Sequence, residues 1–152
     1  MKKEVKFDEI DMEILRMLKE NSKITYKEIA KSMNLSVGTV YNRIKRLEEE
    51  GVIRRYTVDI DYSKMGYDLT AIIMLQVEGP HIIEIEKILA KYDENMSVYD
   101  VTGEFDITVI AKLKDREHLN KLIKEILTIP HVKRTVTSIA LSVVKENFRI
   151  ES

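Results

Sequence analysis

Hydrophobic positions recur along this chain with two different spacings, and the change from one to the other falls near Leu69. Before it the spacing is helical. Ile10, Ile14, Leu15 and Leu18 share a face and predict a helix from Asp8 to Asn21, capped by Asp8. Ile29, Ala30 and Met33 mark the inner side of a second helix, Tyr26 to Met33. In a third helix, Val40, Ile44 and Leu47 form one stripe, while Thr39, Asn42, Lys45 and Arg46 fall opposite it. Ser36 is suited to cap this helix and Gly51 to end it. Asn34 stands where the turn between the second and third helices needs a left-handed residue, which Asn tolerates better than most. Two short amphipathic helices joined through Asn34-Leu35-Ser36 predict a helix-turn-helix. The run Val52 to Ile60 reads as β-structure in the position of a wing, with Arg54 and Arg55 on it, and Tyr62 to Asp68 reads as a linker.

From Leu69 onward the pattern predicts strand (Leu69 to Glu78), helix (Ile82 to Tyr92), strand (Met96 to Thr102), strand (Phe105 to Leu113), helix (Arg116 to Leu127) and strand (Val132 to Val144). Pro80 and Pro130 punctuate the two helices. The order βαββαβ is that of the split-βαβ, ferredoxin-like unit. The chain is therefore expected to be α+β, with a winged helix-turn-helix head over 1–60, a linker over 61–68 and a ferredoxin-like domain over 69–152. Such a sheet has one face under helices and one open, and the open face of a monomer should be polar. Here both parities of the first and last strands are largely apolar. That predicts a homodimer through the sheet, with Ala71, Ile73, Leu75, Ile139 and Leu141 as the interface; the alternative is that the head covers the open face within one chain.

Composition narrows the classes. At 152 residues and 44% hydrophobic the chain can bury one core or two small ones, and its 34% charged residues are balanced to a net −1, unlike a disordered tail or a strongly basic coat protein. No apolar run approaches the roughly 20 residues of a membrane span, and acids interrupt the N-terminal MKKEVKFDEID, so a soluble, cytoplasmic protein is expected. There are no cysteines, and His81, His118 and His131 lack ligand spacing in the sequence. Each histidine reads as a surface residue near a helix end, and neither a metal site nor a cofactor is expected. No Ser-His-Asp set, phosphate-binding glycine loop or paired-carboxylate motif argues for catalysis. Charge is uneven, however: Lys23 to Arg55 carries eight basic and four acidic residues, a local +4. A basic segment in a near-neutral chain is the footprint of phosphate contact, although lysines and arginines on short amphipathic helices also make an ordinary solvated face.

Taken together, FDEIDMEIL, the helix-turn-helix, LEEEGVI, VYDVTGEFDITV and the last strand resemble the Lrp/AsnC, or feast/famine, family of prokaryotic transcription regulators over nearly the whole chain. Phe7 and Asn34 depart from the leucine and glycine common there. The resemblance implies dimers that assemble into tetramers, octamers or larger rings, with paired recognition helices in successive major grooves of double-stranded DNA. Half-sites would then lie roughly 10 base pairs apart. Thr39, Tyr41 and Asn42 are the candidates for base edges, and Ser36, Lys45, Arg46 and Arg54 for phosphate or guanine. Arg43, nearer the core stripe, is as well suited to bracing the head through a carboxylate. The turn Thr102-Gly103-Glu104-Phe105-Asp106 on its own reads as a simple hairpin connection. The resemblance implies an amino-acid effector there, where it meets a neighbouring dimer: N–H groups near Gly103 for the α-carboxylate, Asp106 for the α-ammonium, and Thr102, Thr135 and Thr137 nearby. Two other classes share the architecture or the head. One is the siroheme decarboxylase subunit, and the other is an interaction module whose head meets protein.

Overall fold

The computed structural model describes residues 6–146, which separate into two compact units. In the first, three helices, α1 (Glu9–Glu20), α2 (Tyr26–Met33) and α3 (Val37–Glu49), close around Ile14, Leu18, Ile29, Ala30, Val40 and Ile44, all buried. Each helix starts on a side-chain cap. Asp8 accepts from the Asp11 N–H while Asp11 accepts from that of Asp8, and Thr25 and Glu28 make the same reciprocal box. Ser36 accepts from the Thr39 N–H at 3.0 Å.

The second unit is a four-stranded antiparallel sheet with two helices. Strands β1 (Leu69–Val77), β2 (Asn95–Asp100), β3 (Ile107–Leu113) and β4 (Val132–Ile139) lie in the order β2-β3-β1-β4. Helices α4 (Ile82–Leu89) and α5 (Arg116–Leu127) complete the expected βαββαβ order. Their apolar stripes, Ile85 and Leu89 on α4 and Leu119, Leu122 and Ile126 on α5, pack on Ala71, Ile73, Leu75, Val77, Ile107, Val109 and Ala111. Pro80 lies in a short 3-10 turn leading into α4, and Pro130 follows α5.

This packing corrects the expected interface at Ala71, Ile73 and Leu75. Ala71, Ile73 and Leu75 have no exposed surface, because α4 and α5 cover their side of the sheet. Directly opposed residues of an antiparallel pair share a face, and the register pairs Ile72 with Ile110 and Ser138, and Met74 with Thr108 and Val136. The face away from the helices therefore carries Ile72, Met74, Ile110, Val136 and, from β2, Tyr99. Leu141 is fully exposed and lies beyond the sheet. The last rung is the Ala140 N–H to the Thr70 carbonyl, and β4 stops short of the expected Val144. Ile139, opposite Ala71 at the edge, is 43% exposed.

A second correction concerns residues 52–60, which form no strand. A strand exists only by pairing, and among the described residues no strand pairs with this segment. Val58 and Ile60 are exposed along it. The expected linker contains a 3-10 turn, Tyr62–Met65, that ends on left-handed Gly66, and the Tyr62 and Tyr67 rings meet edge to face.

Candidate nucleic-acid interface and effector loop

The α2-turn-α3 segment is fixed at every joint by its own sequence. Asn34 adopts φ 53° and ψ 44° as the left-handed end of α2, and the Leu35 N–H reaches back to the Ala30 carbonyl at 2.9 Å. Ser36 then opens α3. At the other end Gly51, at φ +72°, permits a Schellman closure: the Val52 N–H bonds the Leu47 carbonyl at 2.9 Å and the Gly51 N–H that of Glu48 at 3.0 Å. With Val40, Ile44 and Leu47 buried, α3 cannot roll about its axis, and its outward face is determined.

That face carries Val37, Gly38, Tyr41, Asn42 and Lys45, all exposed. Tyr41 is braced edge to face by Tyr26, ring centroids 6.1 Å apart, so its position is shared with α2. Lys45 stands 3.8 Å from Glu49, a loose contact that leaves its ammonium free to turn toward a phosphate. Thr39 is half-buried, and its hydroxyl lies 2.8 Å from that of Ser36. The Ser36 hydroxyl also takes the Thr39 N–H, so the cap leaves the N–H groups of Val37 and Gly38 as those it does not use. Arg54 is exposed just after α3. Val37 was not singled out from the sequence. Its signal is an exposed apolar residue at the first position of a recognition helix, the end of such a helix that meets base edges.

Arg46 is engaged within the head. Its Nη2 lies 2.5 Å from Oδ2 of Asp11, while Arg43 Nη1 contacts Asp11 Oδ1 at 2.9 Å and Asp8 Oδ2 at 2.7 Å. Asp11 is buried, so two guanidinium groups and the Asp8 N–H supply what a desolvated carboxylate requires. Both arginines thereby tie α3 to α1. Beside Arg43, and capping α1, the Asp8 carboxyl is held at about 2. The carboxylate brace foreseen for Arg43 is present, and Arg46 shares it.

In the second unit the hairpin between β2 and β3 places Thr102, Gly103 and Glu104 at an exposed tip, with Gly103 at φ +126°, a conformation suited to glycine. Asp106 is half-buried and structural on one side. Its Oδ2 accepts from the Val77 N–H at 2.8 Å, where the β1 register shifts, and its own N–H donates to the Leu75 carbonyl. Thr135, opposite Leu75, lies at this end of the sheet, while Thr137, opposite Ile73, is further from the turn. Arg134 also reaches the hairpin, with its guanidinium 3.6 Å from Glu104 and 5.4 Å from the Phe105 ring. Sequence reading missed it, because contact across the sheet joins residues remote in the chain.

The three histidines lie at helix ends, as expected, but two of them meet. His81 and His131 stack with centroids 3.5 Å apart beside Glu78, while His118 hydrogen-bonds Glu94 at 2.9 Å. No helix among the described residues is long and apolar enough to cross a membrane.

Comparison with known proteins covers both units. Residues 7–54 match the family model for winged helix-turn-helix DNA-binding domains, and residues 70–150 that for the Lrp/AsnC ligand binding domain. An HTH-type transcriptional regulator of Pyrococcus abyssi is 53% identical over 95% of this chain and 98% of its own length. The HTH-type transcriptional regulator FL11 of the same organism is 38% identical over 93% and 94%. The solved structure of Escherichia coli AsnC superposes with a TM-score of 0.88 at 26% identity, covering 94% of this chain and 97% of that one.

Proposed function

The chain belongs to the Lrp/AsnC family of transcription regulators, and from that premise we propose that it reads a pseudo-palindromic site on double-stranded DNA as a cytoplasmic homo-oligomer whose assembly responds to a small effector of amino-acid type. The observation that carries the DNA reading is the division of α3. Val40, Ile44 and Leu47 lock it into the head, while Tyr41, Asn42 and Lys45 are exposed on the opposite side. In this reading Asn42 reads adenine, Val37 and Tyr41 meet base edges, and Lys45 and Arg54 meet phosphate. With Thr39 capped by Ser36, the N–H groups of Val37 and Gly38 at the helix start face a further phosphate. Arg46 acts indirectly by setting the pitch of α3 against α1.

Dimerisation is assigned to the open sheet face around Ile72, Met74, Ile110 and Val136. An apolar centre flanked along β1 by the polar Thr70 and Gln76 suits the core-and-rim pattern of an interface. The effector is assigned to the exposed Gly103 turn. Its N–H groups favour a carboxylate, and Asp106 keeps acceptor capacity for an ammonium beyond the bond to Val77. An assembly of dimers around that turn makes ligand binding and oligomer state linked quantities, and by reciprocity links both to DNA affinity.

The test is fluorescence anisotropy of labelled DNA from upstream of the gene across a salt series, with and without a mixture of the twenty amino acids. Tight, competitor-resistant binding with a steep salt slope is expected, together with a shift when the mixture is added. Salt-insensitive, sequence-blind binding of a folded protein would overturn the reading.

A further inference from the structure

We propose that Glu78, His81 and His131 form a binding site for a borderline divalent transition-metal ion of the zinc class, at the end of the sheet where β1 leaves and β4 enters. One nitrogen from each imidazole and one oxygen of Glu78 lie within 4.8 Å of one another. The fold brings them together. Val77 pairs with Val132, so the residues just outside that rung, Glu78 and His131, face each other.

The backbone then holds all three. The Glu78 N–H donates to the His131 carbonyl at 3.0 Å, and the His81 N–H donates to the Glu78 carbonyl at 2.9 Å. Pro80 stiffens the short turn between Glu78 and His81. His131 has φ +71°, a left-handed conformation in which the two rings lie parallel within 1° at 3.5 Å. Its Nδ1 is 3.0 Å from Glu78 Oε2.

Two imidazoles and a carboxylate are the donor set of zinc and its neighbours, not of calcium or magnesium, which take oxygen shells. Donors around one zinc lie roughly 3.3 Å apart at bond lengths of about 2.0–2.2 Å, so the set must draw in by an ångström or so. The exposed side chains of Glu78 and His131 have room to do this. Each imidazole lone pair lies in its ring plane, so a shared ion must also tilt the two rings out of their stack. Glu84 Oε2, 3.5 Å from His81 Nδ1, supplies the carboxylate–imidazole contact that orients metal-bound histidines. Three protein ligands leave a fourth position for water or an incoming donor. Val77, next to Glu78, is the residue whose N–H is held by Asp106, so an ion here would stiffen the end of β1 to which Asp106, at the foot of the Gly103 hairpin, is bonded.

The experiment is isothermal titration of full-length, tag-free, chelator-dialysed protein with Zn²⁺ near neutral pH. Cobalt absorption spectra serve as a second readout. One ion per chain is expected. His81→Gln and His131→Asn, the latter keeping a residue that tolerates the left-handed backbone, should each weaken binding at least tenfold and bleach the cobalt bands. His118→Gln, whose ring meets Glu94 instead, should bind as wild type. No binding by the wild-type protein, or unchanged affinity in both folded variants, overturns the proposal. The first of these outcomes would leave the histidine stack as a packing contact.

Discussion

Arg46 Nη2 sits 2.5 Å from Oδ2 of Asp11, a carboxylate 1% exposed, and this contact joins the recognition helix to α1. Asp11→Asn removes the charge that both Arg43 and Arg46 answer. A fully buried pair broken this way costs about 3–5 kcal/mol. The Arg46 side chain is 42% exposed, so solvent screens part of the loss and about 2 kcal/mol is expected. Urea denaturation of the variant measures it. If Arg46 instead served DNA directly, Arg46→Gln would lower the salt slope of DNA binding as much as Lys45→Gln does. A smaller change in slope, accompanied by loss of stability, is the expected result.

Acid should loosen the same cluster. The Asp8 carboxyl is lowered from 3.8 to about 2, first by its hydrogen bond from Arg43 and then by that from the Asp11 N–H. A group whose folded pKa is depressed stabilises the fold fully above its unfolded pKa, and that contribution drains away as pH falls toward the folded value. Stability should therefore decline between pH 3.8 and about 2, with a shallower decline in Asp8→Asn. Urea midpoints taken across that range, for the wild type and the variant, are the measurement.

The two parities of β1 should respond in opposite ways to substitution. Ile73 is wholly buried under the helices, so Ile73→Ala is expected to cost about 2–5 kcal/mol whatever the oligomeric state. Met74 lies on the other face, and Met74→Lys should yield a folded monomer by light scattering with an unchanged helical spectrum. A variant that remains dimeric would move the interface off this face.

That contrast also shows how far the sequence could be read. Caps at Asp8, Ser36, Asn34 and Gly51 were legible because each acts through its own neighbours in the chain. Element order followed from periodicity and two prolines. The facing of β1 did not, because Ile72 and Met74 are as apolar as Ile73 and Leu75. The overlooked signal was Thr70 and Gln76, polar residues that share the parity of Ile72 and Met74. Residues 52–60 have the composition of a strand, but composition cannot supply a pairing partner. The Arg46–Asp11 contact, Arg134 at the hairpin and the His81–His131 stack depend on tertiary approach between distant segments, which spacing does not encode.

Asp106 requires a substitution that separates its two roles. Asp106→Ala would strand the Val77 N–H at the register shift of β1, at a cost of about 1–3 kcal/mol, and any loss of ligand would be ambiguous. Asp106→Asn keeps a carbonyl oxygen for Val77 and removes only the negative charge. If the carboxylate receives an effector's ammonium, the Asn variant should keep near-wild-type thermal stability and lose at least tenfold in calorimetric affinity for whichever amino acid the wild type binds. Equal affinity in the two proteins would place the ammonium on another group, and the exposed Glu104 beside Arg134 would be the next to change.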